Sequence, residues 1–181
     1  ILGTGHGGGI AIKGKSHNGF QGLAGEIGHY SLPWPREGEY PGPRCWCGRH
    51  GCLEMFCSGT GFELDYRTTT GIARKASEVI ALKRAGDPAA SAVYDRYVDR
   101  LARSLALIID LVDPDVFALG GGMSNVDELY DDVPKLLSAR TNLWEGEGGR
   151  LVFSDSVATP IRKARHGDSS GVRGAAFLWK Q

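Results

Sequence analysis

Asp113-Pro-Asp-Val-Phe-Ala-Leu-Gly-Gly-Gly-Met-Ser-Asn125 is the stretch on which the fold turns. Val116 to Leu119 is a short, continuous apolar run of the kind found in a strand buried on both faces, and it leads straight into Gly120-Gly121-Gly122. Ser124 or Asn125 then supplies a cap for a helix predicted to continue to about Ala139. Upstream, Val93, Tyr97, Leu101, Leu105, Ile108 and Val112 recur at three- to four-residue intervals, so Ala89 to Val112 reads as a long amphipathic helix stopped by Asp113-Pro114. Strand, glycine turn and helix alternate, which predicts an α/β domain with its longer helices against a central sheet.

The flanking sequence extends this pattern. Gly8 to Lys15 has the β-branched content and closing glycine of a strand and hairpin, so two strands are expected there. A short helix should begin at Ser58 and end before Gly71, and another should run from Lys75 to Ala85 before Gly86-Asp87-Pro88 stops it. A last strand is expected at Leu151 to Phe153 and a last helix at Ser169 to Trp179. No repeat or internal linker divides residues 1–181, which suit one domain with its own core.

Bulk properties exclude some functions. The chain has 21 basic and 21 acidic residues, leaving no global field to attract nucleic acid or an anionic membrane. No apolar run approaches the roughly 20 residues that span a bilayer, and the start carries no leader pattern, so a cytoplasmic protein is expected. Ile1-Leu2 runs into a glycine-rich turn as though a strand had been cut midway, which reads as a fragment.

From Phe20 to Gly51 the chain is rich in glycine and carries Pro33, Pro35, Pro41 and Pro43, so a long regular element is excluded and another device must shape it. Cys45-Trp-Cys-Gly-Arg-His-Gly-Cys52 packs three thiols into eight residues, and His29 lies upstream in Gly25-Glu-Ile-Gly-His29. Three thiolates at Cys45, Cys47 and Cys52 with the His29 imidazole make a closed structural zinc site, which would stand in for the missing secondary structure of the loop. His50 is a rival fourth ligand on composition alone. A disulfide is disfavoured by a reducing compartment and by the strain of bridging Cys45 and Cys47. Cys57, turned away from Cys52 if the segment is helical, reads as a small buried hydrophobe. His6, His17 and His166 lack cysteine neighbours.

Three motifs in series, Leu2-Gly-Thr-Gly-His-Gly-Gly-Gly-Ile10, Gly25-Glu-Ile-Gly-His29 and Cys45-x-Cys-Gly-x-x-Gly-Cys-Leu-Glu54, resemble the signature of the ROK family of repressors and sugar kinases. The likeness continues through Gly120 to Asn125 and His166 to Ala176, and within the family it points to bacterial fructokinases and mannokinases. It implies a ribonuclease-H-like lobe of the actin and hexokinase type, the C-terminal of two. The other lobe would bring a phosphate loop and the general-base aspartate, and no catalytic residue is expected within this chain.

The resemblance also implies roles for individual residues. By chemistry alone Gly3-Thr4-Gly5 is a simple turn; the resemblance assigns it to ATP phosphates. Gly120, Gly121 and Gly122 are assigned to the nucleotide beyond a strand end. Glu26, His29 and Glu54 become the sugar-facing set, with one His29 nitrogen on zinc and the other on a hydroxyl. Asp168 and Arg173 read better as a cap and a solvated residue. The implied protein is an ATP- and Mg²⁺-dependent kinase of fructose, mannose or glucose, inactive as this lobe alone and homodimeric. The alternatives are the effector-sensing half of a ROK repressor and a zinc-stabilised sugar-binding or dimerisation module.

Overall fold

The computed structural model describes residues 1–137, 142–144, 151–153 and 159–167. Its elements run β1 (Ile10–Ile12), β2 (Lys15–His17), a 3-10 turn (Ile27–His29), α1 (Glu54–Cys57), α2 (Gly59–Thr70), α3 (Ala76–Arg84), α4 (Pro88–Val112), β3 (Phe117–Leu119), a second 3-10 turn (Gly122–Asn125), α5 (Leu129–Leu137), β4 (Asn142–Trp144), β5 (Leu151–Phe153) and β6 (Ile161–Lys163). None of the described helices is long and apolar enough to cross a membrane.

Helix α4 organises the packing of the described residues. Asp87 caps it by accepting from the Ala90 N–H at 2.7 Å, Pro88 occupies the first turn where a missing N–H costs nothing, and Asp113 closes it in the left-handed region before Pro114. Val93, Tyr97, Leu101 and Leu105 are buried as their spacing predicts, and they pack with Phe62 of α2, Val79 of α3 and Leu129 and Val133 of α5. Ile108 is only partly buried and Val112 is exposed, so the apolar stripe fades toward the C-terminal end. Helix α2 begins on its Ser58 cap, which accepts from the Gly61 N–H at 2.9 Å. In α3 the Glu78 side chain accepts from the Lys75 N–H at 2.8 Å.

The strands are shorter than the pattern implied. β1 and β2 form an antiparallel hairpin, β4 and β5 another, and β3 pairs in parallel with β6. Among the described residues the expected central sheet is reduced to the two-stranded β3–β6 pair, and the Leu2 N–H donates to the Gly120 carbonyl just past it at 2.7 Å. Strand β3 is not buried on both faces, since Phe117 and Leu119 are covered but Val116 and Ala118 are exposed. Ser124 and Asn125 do not cap α5. They lie inside the second 3-10 turn, where the Ser124 hydroxyl donates back to the Gly121 carbonyl at 2.6 Å, and α5 starts four residues later. The predicted end of that helix at Ala139 and the helix at Ser169 to Trp179, with Asp168 and Arg173, fall outside the described residues.

The proline-rich segment is held by a device the spacing had not revealed. Glu39, 7 % exposed, accepts from Arg100 Nε at 2.8 Å, from Arg103 at 2.8 and 2.9 Å, and from the Arg36 N–H at 2.9 Å. Arg103 is fully buried and also donates to the Pro33 and Trp34 carbonyls and to Asp99. Arg100 reaches Asp65 of α2 and lies over the Phe56 ring. A second face of α4 thus clamps the middle of the loop. The ends of the loop are held separately, by bridges between Ser31 and Cys52 and between Arg44 and His50.

Candidate functional site

Two sites share one turn. Gly3 and Thr4 line a cleft of about 840 Å³ together with Gly121, Gly122, Thr60 and Lys75. Two hydrogen bonds close this arrangement: the Met123 N–H donates to the Leu2 carbonyl at 2.9 Å, and the Gly59 N–H to the Gly3 carbonyl at 2.7 Å. Gly121 is required, because its φ is +87° and an added Cβ would stand 2.7 Å from the Leu2 carbonyl. Gly120 lies behind the cleft, its carbonyl holding Leu2. Thr60, Glu63, Lys75 and Arg84 also border the cavity. Sequence reasoning missed these four, since they sit on helices or, for Lys75, at a helix start, where no motif marks them.

The other side of the same turn meets Glu54. Gly5 is apart from the cleft residues, and an added Cβ there would stand 2.6 Å from Glu54 Oε2. That oxygen also accepts from the His6 N–H at 3.3 Å, while Oε1 accepts from the Trp46 indole N–H at 2.5 Å. The carboxylate of Glu54, in the first turn of α1, is therefore fixed between the glycine turn and the cysteine loop. Gly28 packs so closely on His6 that a Cβ would overlap the His6 carbonyl oxygen, which brings Gly25–His29 against the turn. Glu26 precedes the Ile27–His29 turn and is exposed.

The His29 ring and the sulfurs of Cys45, Cys47 and Cys52 present ligand atoms all within 4.8 Å of one another. Cys45 Sγ is 3.7 Å from His29 Nδ1 and Cys47 Sγ is 3.6 Å from Cys52 Sγ. A tetrahedron with bonds of about 2.3 Å to sulfur has edges of roughly 3.8 Å, so the four residues fit zinc. Burial, reinforced by the neighbouring sulfurs, pushes the Cys52 thiol up to about 12, whereas a backbone hydrogen bond from Arg49 holds Cys47 below the usual thiol range. Three sulfurs this close carry negative charge together only around a cation. The Cys45 N–H bonds the Arg49 carbonyl at 2.7 Å and the Gly48 N–H bonds the Cys45 carbonyl at 3.0 Å, so the turn that presents the thiols is built by the backbone.

The rivals separate cleanly. His50 directs Nδ1 at the Gly42 carbonyl, 3.2 Å away, and stands outside the four. Cys57 is fully buried with Leu32, Leu53 and Phe56, and burial raises its thiol to about 12. His17 is exposed on β2. His6 is 8 % exposed, neither ring nitrogen has a well-formed hydrogen bond among the described residues, and burial, with the N-terminal charge, lowers its pKa to about 4.

A family model described as "ROK family" matches residues 1–181. An N-acetyl-D-glucosamine kinase from Aliivibrio salmonicida is 43 % identical over 98 % of the chain and 57 % of its own length. A ROK family glucokinase from Streptomyces griseus, solved in complex with glucose and AMPPNP, superposes with a TM-score of 0.79 at 28 % identity, over 98 % of this chain and 58 % of that one. A ROK hexokinase from Thermus thermophilus gives a TM-score of 0.76 at 29 % identity, over 97 % and 54 %. The chain thus spans a little over half the length of the proteins it matches.

Proposed function

The chain belongs to the ROK family, and from that membership we propose that it is the C-terminal lobe of an ATP-dependent hexose kinase. One observation carries the reading. The turn from Gly3 to His6 has Gly3 and Thr4 on a cleft large enough for a nucleotide and Gly5 and His6 against Glu54, so a phosphate and a sugar hydroxyl would meet across four residues. Phosphoryl transfer asks for such positioning more than for covalent chemistry.

Within this reading the backbone of the Gly3 and Gly121 turns receives the phosphates, and Glu54, Glu26 and His29 hold the hexose. The attacking hydroxyl would give its proton to an aspartate of the other lobe as its oxygen bonds the γ-phosphorus and the bond to ADP breaks. Mg²⁺ bound with ATP would neutralise charge on the β- and γ-oxygens. Zinc, held by His29, Cys45, Cys47 and Cys52, would supply structure only, with His29 Nδ1 committed to the metal side and Nε2 turned over to a hydroxyl.

N-acetyl-D-glucosamine is the first substrate to test, ahead of the fructose or mannose suggested by the motifs, because a relative so named aligns over 98 % of the chain. A homodimer and a cytoplasmic location complete the proposal. The test is hexose-dependent ADP formation by this chain alone and by the longer protein that carries it. The longer protein should turn over an N-acetylhexosamine or a hexose and the lobe alone should not. Turnover by the lobe would show a base that this reading places elsewhere; no turnover by the longer protein with any hexose would overturn the kinase.

A further inference from the structure

Trp46 stands between two of the sugar candidates without belonging to any motif that assigns it a role. Its indole N–H donates to Glu54 Oε1 at 2.5 Å, and its ring meets the His29 imidazole edge-on, with centroids 4.9 Å apart at 82°. It is nevertheless 79 % exposed. An indole this open gains little from burial, so the fold does not need its ring. We propose that Trp46 is a positioning residue of the hexose site, its N–H setting the Glu54 carboxylate and its ring forming an apolar wall for the sugar. This inference rests on the kinase reading above.

The hydrogen-bond inventory supports the first half of that role. A carboxylate offers about four lone-pair directions, and here each oxygen receives an N–H, Oε1 from Trp46 and Oε2 from His6, with Cys45 Sγ a further 4.0 Å from Oε1. One N–H on each oxygen pins the plane of the group while leaving directions free for hydroxyls. The second half follows from shape. A hexose presents polar edges and apolar C–H faces, and an N-acetyl group adds a methyl. Trp46 has the matching character, a large apolar face with one polar atom already directed at the site.

Trp46→Phe keeps most of the ring and removes the N–H; Trp46→Ala removes both. The longer protein that carries this chain, zinc-loaded, and both variants of it would be titrated with N-acetyl-D-glucosamine and with glucose by calorimetry, alongside melting temperature, zinc content and tryptophan fluorescence. The expected result is about tenfold weaker sugar binding in Trp46→Phe, the effect of one hydrogen bond to a charged group. Trp46→Ala should weaken it further, most for the acetamido sugar, and should abolish the fluorescence change on sugar addition. Melting temperature and zinc content should be unchanged. Binding by Trp46→Phe equal to the unmodified longer protein overturns the inference alone. A loss of zinc or a large fall in melting temperature does so too, by showing a structural residue. Failure of the unmodified longer protein to bind either sugar overturns the inference together with the hexose site.

Discussion

Replacing Glu39 by alanine isolates the clamp on the proline-rich loop. Glu39 is 7 % exposed, Arg103 fully buried and Arg100 10 % exposed at the side chain, so the substitution strands two guanidinium groups in a site with little water. Arg103 keeps Asp99 and two carbonyls, and Arg100 keeps Asp65, so neither charge is wholly orphaned. Removing one partner of a buried pair costs about 3–5 kcal/mol, and the remaining contacts place this case toward the lower end. For a chain of this size each kcal/mol moves the melting temperature by about 2–4 °C, so Glu39→Ala should melt about 6–12 °C lower. Glu39→Gln, which keeps the shape and one acceptor, should lose roughly half as much. The assay is thermal unfolding by circular dichroism with zinc measured in the same samples. Zinc should stay bound, because the two bridges beside the cysteines do not pass through Glu39. A melting temperature within about 2 °C of the unmodified chain would refute the clamp, and zinc loss at that substitution would show that loop and metal site are one unit.

Cys47→Ser should lower metal from about one zinc per chain to well below it in elemental analysis, while Cys57→Ser, outside the cluster, should leave it unchanged. Gly121→Ala forces a Cβ onto Leu2 at a φ of +87°, so binding of a fluorescent ATP analogue should weaken at least tenfold; unchanged binding would separate that turn from the cleft. Burial lowers His6 from about 6.5 to about 4, so the unfolded chain binds more protons between those values. Stability should therefore be fully present above pH 6.5 and fall as pH drops toward 4, by about 3 kcal/mol in all. His6→Leu should flatten urea-unfolding free energy across that window, and an unaltered slope would remove His6 as its source. As pH falls through the ordinary carboxylate range a further loss is expected from Glu39, held down against burial by the Arg36 N–H and the Arg100 and Arg103 side chains, and from Asp65, held down against burial by Arg96 and Arg100.

The legible parts of this protein were those written in local pattern. The apolar spacing of α4 from Val93 to Leu105, its stop at Asp113, and the Ser58 and Gly71 limits of α2 are set by neighbours in sequence, and the structure keeps them; the helix starts at Pro88, one residue before the expected Ala89. The zinc candidates were legible because a metal needs particular donor atoms, and cysteines that close announce themselves. Three-dimensional packing decided the rest. Whether Ser124 caps a helix or lies inside a 3-10 turn depends on Met123 bonding to Leu2, some 120 residues away in the chain. The Glu39 clamp joins residues more than 60 positions apart, and no period in the sequence distinguishes Arg100 and Arg103 from solvated arginines on a helix surface. Trp46 was one aromatic among several until the fold set its N–H on Glu54. Sequence by itself determined what recurs at short range or is chemically rare: helix periods, caps, the cysteine and histidine set and the glycine turns. Only tertiary structure decided which common polar and aromatic side chains meet, because such contacts form between segments whose encounter depends on the fold as a whole.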